Sequence, residues 1–335
     1  MLRAALLTLL VLLILPAAAD AACRTVPTAA VYYDSPAVRV AYDGKDVVAC
    51  LRATRTERVV APEDDYLGVE ITGVDGDRWL TYSTYVDDGS KGQSRPYTSD
   101  VMLDLQTGVT VSENGDEWFP GGELASRYKG LVAYYADGRS EVLDPGHHPL
   151  LDEYARHGRR IYWQSDNGRP KTALIDLPGV TPLPAGRPVR ATAMAGCPAR
   201  RGARLVARFR RLVVTRKGRD TRVCLKGRTT RLGDVTGVEA VSGYELAYVR
   251  PGYAGHVNAV TGVRHELPRA QGQHAARLRT VAARDRYGVL RAWSDVGPAR
   301  ILTTAPARSV AVSPGYVYWL AADGTPRAAK IRRNG

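Results

Sequence analysis

VEAVSGYELAYVRPGYAGHVNAVTGVRHEL, residues 238–267, reads as four short strands separated by three turns. Val238 to Val241 is a first β-type run, and Ser242-Gly243 turns the chain into Tyr244 to Val249. Arg250-Pro251-Gly252 turns it again into His256 to Val260, and Thr261-Gly262 leads to Val263 to Leu267. Glycine recurs at the turns because tight hairpins need positive φ. Four strands in about 30 to 40 residues have the form of one blade of a propeller.

The same pattern recurs along the chain. Val101 to Leu105, Gln106-Thr107-Gly108 and Val109 to Val111 repeat the third strand, the Thr-Gly turn and the fourth strand. VVACLRATRTERV, residues 47–59, resembles TRVCLKGRTTRL, residues 221–232, and RIYWQSDNGRPKTALID, residues 160–176, resembles YVYWLAADGTPRAAKIR, residues 316–332. Cys50 and Cys224 are 174 positions apart, and Trp163 and Trp319 are 156 apart, so the first half carries 174 − 156 = 18 extra residues. Much of that excess falls at 87–99, a polar stretch expected to be an exposed loop. The repeat divides into units at 23–60, 66–112, 117–144 and 145–178, then 197–232, 234–268, 269–304 and 305–333. The expected fold is all-β: a single β-propeller of 7–8 four-stranded blades, built from two tandem halves of about four blades each. The halves are 22–181 and 196–335, joined by a Pro-rich stretch at 182–195. Two separate β-domains split at that join are the alternative. The one helical candidate is 150–156, LLDEYAR.

The repeat pattern resembles that of secreted β-propellers of the TolB-like and WD-repeat kind. The TolB-like Ser-Pro-Asp-Gly turn has a shortened counterpart in Ser313-Pro314-Gly315. The resemblance implies a blade fold and transfers no function, since such folds host binding modules, scaffolds and enzymes alike.

Residues 1–21 read as an export signal. Arg3 is the charged start, Ala4 to Leu15 is an apolar run of 12 residues, and Ala19-Asp20-Ala21 is a small-x-small cleavage site. A membrane anchor and a lipoprotein acylated at Cys23 are the rival readings, and Asp20 in the position of a lipobox argues against the second. No later segment approaches the roughly 20 apolar residues of a membrane helix. The expected location is extracellular, periplasmic or cell-wall associated. Four cysteines in an exported chain imply two disulfides. Cys23 and Cys50 are 27 apart, as are Cys197 and Cys224, so the repeat favours those two pairs over the other connectivities and over a zinc site.

Charge is the feature most suggestive of function. Residues 200–231 hold 13 Lys and Arg and one acid, Asp220, a net of +12 in a chain whose total is +13. Gathered on one face, such residues draw in polyanions. The candidate anion-binding residues are Arg204, Arg208, Arg210, Arg211, Arg216, Lys217, Arg219 and Arg222. The bland alternative is alternating strands that simply turn arginine outward. Phe209 is the only aromatic in the stretch, so a base-stacking platform is not evident and sequence-specific nucleic-acid binding is not expected.

Other chemistry is weaker. His147, His148 and His157 lie near Asp152 and Glu153, but no His-Glu-x-x-His occurs, and no metal site or cofactor is expected. There is no Gly-x-Ser-x-Gly, no phosphate-binding glycine loop and no free thiol once the disulfides form. Tyr162-Trp163 and Tyr318-Trp319 occupy matching places and read as blade core, with neighbours in each pair facing opposite ways. Three readings follow: an exported binding or scaffold propeller engaging a protein or an anionic envelope polymer; a polysaccharide hydrolase or lyase acting at the channel; or a purely structural interaction domain.

Overall fold

Alternating apolar and polar residues with Asp-Gly or Asn-Gly turns dictate antiparallel hairpins, and the computed structural model is built from them. It describes residues 23–331 apart from 24–25, 28–29, 62–67, 76–77, 87–96, 113–116, 128–129, 146–153, 178–187, 192–195, 210, 242, 278, 295–296 and 314. The export signal, positions 87–96 of the polar loop, most of the Pro-rich join, Arg210, His147 and His148 lie outside the described residues; positions 97–99, expected as loop, belong instead to the strand Tyr97–Asp104, paired with Trp79–Val86.

Eight consecutive antiparallel units span 31–61, 68–112, 117–144, 155–174, 204–233, 237–268, 274–303 and 307–330. They are numbered 1 to 8 here. Units 4 and 8 have three described strands, and the others have four. The fold is all-β, with no α-helix among the described residues. Ala155–His157, at the end of the helical candidate, is a strand. Pairing with Arg160–Gln164 overrides its weak helical pattern, and positions 150–153 of the candidate lie outside the described residues.

The hairpin chemistry repeats with the units. The same backbone bond closes a turn in four units: Tyr135 N–H to Arg139 O between the third and fourth strands of unit 3, and Ser165 to Arg169, Asp285 to Val289 and Ala321 to Thr325 between the second and third described strands of units 4, 7 and 8. Gly138, Gly168, Gly288 and Gly324 supply the positive φ. Ser35 and Ser313 open matching turns in units 1 and 8, where each hydroxyl accepts a backbone N–H, from Val38 and from Tyr316.

Each unit buries both faces. Val38, Val40 and Leu51 of unit 1 share a core with Leu80, Tyr82 and Leu103 of unit 2. Leu212, Val214 and Val223 of unit 5 share one with Leu246, Tyr248 and Val257 of unit 6. Further cores join units 3 and 4, 6 and 7, and 7 and 8.

The two halves meet through equivalent units. Val31–Asp34 of unit 1 pairs with Arg204–Phe209 of unit 5, Tyr33 opposite Phe209 and Asp34 opposite Arg208. That pairing merges two units into one eight-stranded sheet, so the eight units form seven sheets. Unit 4 packs face to face on unit 8: Tyr162 stacks on Tyr318 at 5.8 Å, and its hydroxyl donates to Ser309 O at 2.7 Å. Trp163 and Trp319 point the other way, into the cores with units 3 and 7. The matched Tyr-Trp pairs are therefore core, and each faces a neighbouring unit on both sides. Simple succession around a ring would set unit 4 against unit 5; here unit 4 meets unit 8 and unit 1 meets unit 5.

Each of units 1 and 5 carries a disulfide to a residue preceding its first strand. Cys23 bonds Cys50 and Cys197 bonds Cys224, with Cα atoms 5.8 and 6.0 Å apart.

Candidate functional site

The structure divides the basic stretch into three groups. Arg208 enters the seam between the halves, where it is buried opposite Asp34. Burial pulls its guanidinium down from the usual range, Asp34 opposes that pull, and Arg39 adds to it. A second group neutralises itself. Arg200, Arg222 and Arg231 converge on Asp220 at 2.9, 2.9 and 3.0 Å. Burial raises the Asp220 carboxyl, but hydrogen bonds and charge from Arg222 and Arg231 outweigh it and hold the group below the ordinary range. Arg219 pairs with Asp234, and Arg216 donates to Thr221 Oγ1 and to Val235 O. Arg204 and Lys217 are exposed at the opposite end of unit 5 from the 226–227 hairpin, with Arg204 bridged to Arg190. Of the described candidates, only Arg211 joins the third group, and Arg204 and Lys217 join none.

That group is a cleft between units 5 and 6. Arg211, Lys226 and Arg228 line it together with Leu225, Gly243, Tyr244 and Val260, and among the described residues none of the lining is acidic. Its volume is about 670 Å³, within the range of small-ligand sites.

Local sequence explains how the cations are presented. Lys226 and Gly227 form a two-residue hairpin between paired Leu225 and Arg228, with φ of +48° and +87°. Those are the two positive φ values of a type I′ turn. Gly196, next to Cys197, presses on this turn: a Cβ there would lie 2.9 Å from Gly227 N. The disulfide and the turn are thus packed as one piece. Arg228 Nη1 donates to Val260 O at 2.7 Å, which ties the hairpin of unit 5 to that of unit 6.

Tyr244 is held as well. It is 40% exposed, its hydroxyl accepts from Arg279 Nη2 at 2.5 Å, and the same guanidinium sits 5.7 Å from its ring centre. Arg279 is anchored on Oε2 of buried Glu245 at 3.2 Å, and His256 Nε2 lies 3.9 Å from the same oxygen. Glu245 is thus engaged by Arg279. The result is a cationic cleft with one fixed aromatic face and two aliphatic walls.

Sequence reading found Arg211 and the charged stretch but missed Tyr244 and Val260, which come from the next unit. A usable signal was present: Lys226-Gly227 and Thr261-Gly262 are turns at one end of adjacent repeats. Among the described residues, no three His, Cys, Asp or Glu side chains converge as a metal site. No helix among them is long and apolar enough to cross a membrane.

No protein-family model and no curated protein matches the chain. Solved structures similar to it include Kluyveromyces lactis Hsv2p, at 13% identity over 66% of this chain and 74% of that one, with a TM-score of 0.28. The Cps50 (Swd1) β-propeller domain of Myceliophteria thermophila matches at 12% identity over 91% and 96%, with a TM-score of 0.26. A chain of the mitotic checkpoint complex matches at 11% identity over 89% and 85%, with a TM-score of 0.25. These likenesses are too distant to bear on fold or function, which rest on the geometry above.

Proposed function

We propose that the chain is an exported, non-enzymatic binding module of the TolB-like or WD-repeat propeller kind, which engages an anionic macromolecular partner of the cell envelope through the cleft between units 5 and 6. The observation that carries this reading is the convergence of Arg211, Lys226 and Arg228 with no acid among the described lining residues. Elsewhere in the basic stretch, Asp34 of unit 1 faces Arg208, and Asp220 and Asp234 pair with Arg200, Arg222, Arg231 and Arg219, so much of the remaining charge is offset away from the cleft. Two disulfides and the leader-like residues 1–21 support export, because such bonds persist in oxidising compartments. A glycoside hydrolase uses a pair of carboxylates, and the described lining of the cleft contains none.

The test is retention of the mature, oxidised protein on a polyanion matrix across a salt gradient. The comparison is with Arg211→Gln, Lys226→Gln, Arg228→Gln combined. Three cations engaged should give a steep dependence on salt, and the triple variant should lose roughly three units of the logarithmic slope. Equal retention of both proteins contradicts the reading.

A further inference from the structure

We infer that the ligand of this cleft is an acidic polysaccharide, a chain of pyranose rings bearing carboxylates. The inference rests on the anion-binding reading and names its substrate class. The cations alone would suit any polyanion. What narrows the class is the wall between them. Tyr244 and Val260 are 40% and 53% exposed, and both line the same cleft as Arg211, Lys226 and Arg228. A polyphosphate has no ring to place on an aromatic face. A sugar ring does: its C–H face packs on an aromatic ring while its hydroxyls and carboxylate stay in the polar rim.

The aromatic face is prepared in advance. Arg279 holds the Tyr244 hydroxyl at 2.5 Å and is itself held by Glu245 at 3.2 Å, so the ring does not have to be ordered by the ligand. Arg228 is likewise fixed on Val260 O, with donors of its planar guanidinium left over for a carboxylate. Lys226 stands at the tip of a type I′ turn and contributes a mobile point charge. Single-stranded nucleic acid is the other anion with rings. It uses successive aromatics for successive bases, and among the described residues Tyr244 is the one aromatic lining this cleft.

The experiment measures binding of tetragalacturonate, maltotetraose, inorganic polyphosphate and an oligothymidylate to the oxidised mature protein at low ionic strength. The proteins are wild type, Tyr244→Ala, Tyr244→Phe, and Arg211→Gln with Arg228→Gln. Near-ultraviolet circular dichroism checks that each variant keeps its packing. Tetragalacturonate should bind and maltotetraose should not. Its affinity should fall roughly tenfold in Tyr244→Ala, stay within about threefold in Tyr244→Phe, and fall at least tenfold in the arginine pair. Polyphosphate binding that depends on the arginines but not on Tyr244, with no tetragalacturonate binding, overturns the sugar assignment and leaves the anion reading standing. Preference for the oligothymidylate overturns it in favour of a nucleic-acid ligand. Failure of every anion to bind overturns both.

Discussion

The matching ends of the two halves use the same turn to opposite effect. In half two, Arg228 Nη1 donates to Val260 O at 2.7 Å; in half one, Arg58 Nη2 donates to Gln106 O at 2.9 Å. The turn that carries that carbonyl is held in half two by Asn258 Oδ1, which accepts from Val260 N and Thr261 N. In half one the holder is Asp104, which accepts from Gln106 N. The exchange of an amide for a carboxylate changes everything around it. Asp104 takes Arg78 through Nε at 2.6 Å and through Nη2, and Arg78 stands where half two has Tyr244. Arg52, the counterpart of Lys226, is tied to Asp34 and to Ser35 O. Half one thus spends its cations internally, while half two leaves them at the mouth of a cleft. The same backbone repeat supports a closed structural end and an open binding end, and the difference lies in a few side chains.

Breaking the structural part of this symmetry should have the largest effects. Trp163 and Trp319 fill equivalent cores, and replacement of either by Ala should cost about 3–5 kcal/mol. Trp163→Ala should be the worse of the two, because Trp163 Nε1 donates to buried Asp144 at 2.8 Å; urea denaturation midpoints measure both. Removal of either disulfide should cost about 3 kcal/mol by the chain-entropy model. Only loss of Cys197–Cys224 should also weaken polyanion retention, because Gly196 backs the turn that carries Lys226.

Acid and base should sharpen the same contrast. Burial raises the Asp104 carboxyl, but Arg78, Thr107 and the Gln106 N–H outweigh it and hold it below the ordinary range. Burial also raises Glu266, and hydrogen bonds from Arg250 and Tyr248 again bring it lower. Both groups titrate lower folded than unfolded, so their stabilisation is complete above the ordinary carboxylate range, near pH 4, and is lost as pH falls through the folded values. Asp104→Asn should flatten the half-one share of that acid loss. On the alkaline side, burial pushes Tyr82 up to about 12. Its stabilisation is complete below the ordinary value of about 10 and is lost as pH rises from there to the folded value. Thermal unfolding against pH reads both limbs.

The smallest expected effect is the most specific. Asn258→Asp places half one's carboxylate in half two's turn, beside Arg228. It should lower the salt slope of polyanion retention by about one unit with little loss of stability.

Most of the fold could be read in the sequence, because it rests on local rules. The strands of 237–268, the Thr-Gly turns and the cysteine pairs all follow from spacing and turn chemistry. The contact order of the units could not be read. The pairing of Asp34 with Arg208 and the stacking of Tyr162 on Tyr318 join residues 174 and 156 positions apart, and no local pattern encodes which units become neighbours. The site was legible in part for the same reason. Charge density marked unit 5, but the sorting of its arginines depends on Asp34, Asp220 and Asp234, and the aromatic wall comes from another repeat.

The central claim is that position at the cleft, rather than net charge, controls anion binding. The direct measurement is a comparison of salt-gradient retention for two triple variants of equal charge. One carries Gln at Arg211, Lys226 and Arg228; the other carries Gln at Arg300, Arg308 and Arg327, exposed in units 7 and 8. Loss of retention in the first with near wild-type retention in the second is the expected result. Equal loss in both would contradict the account and reduce the basic stretch to dispersed surface charge.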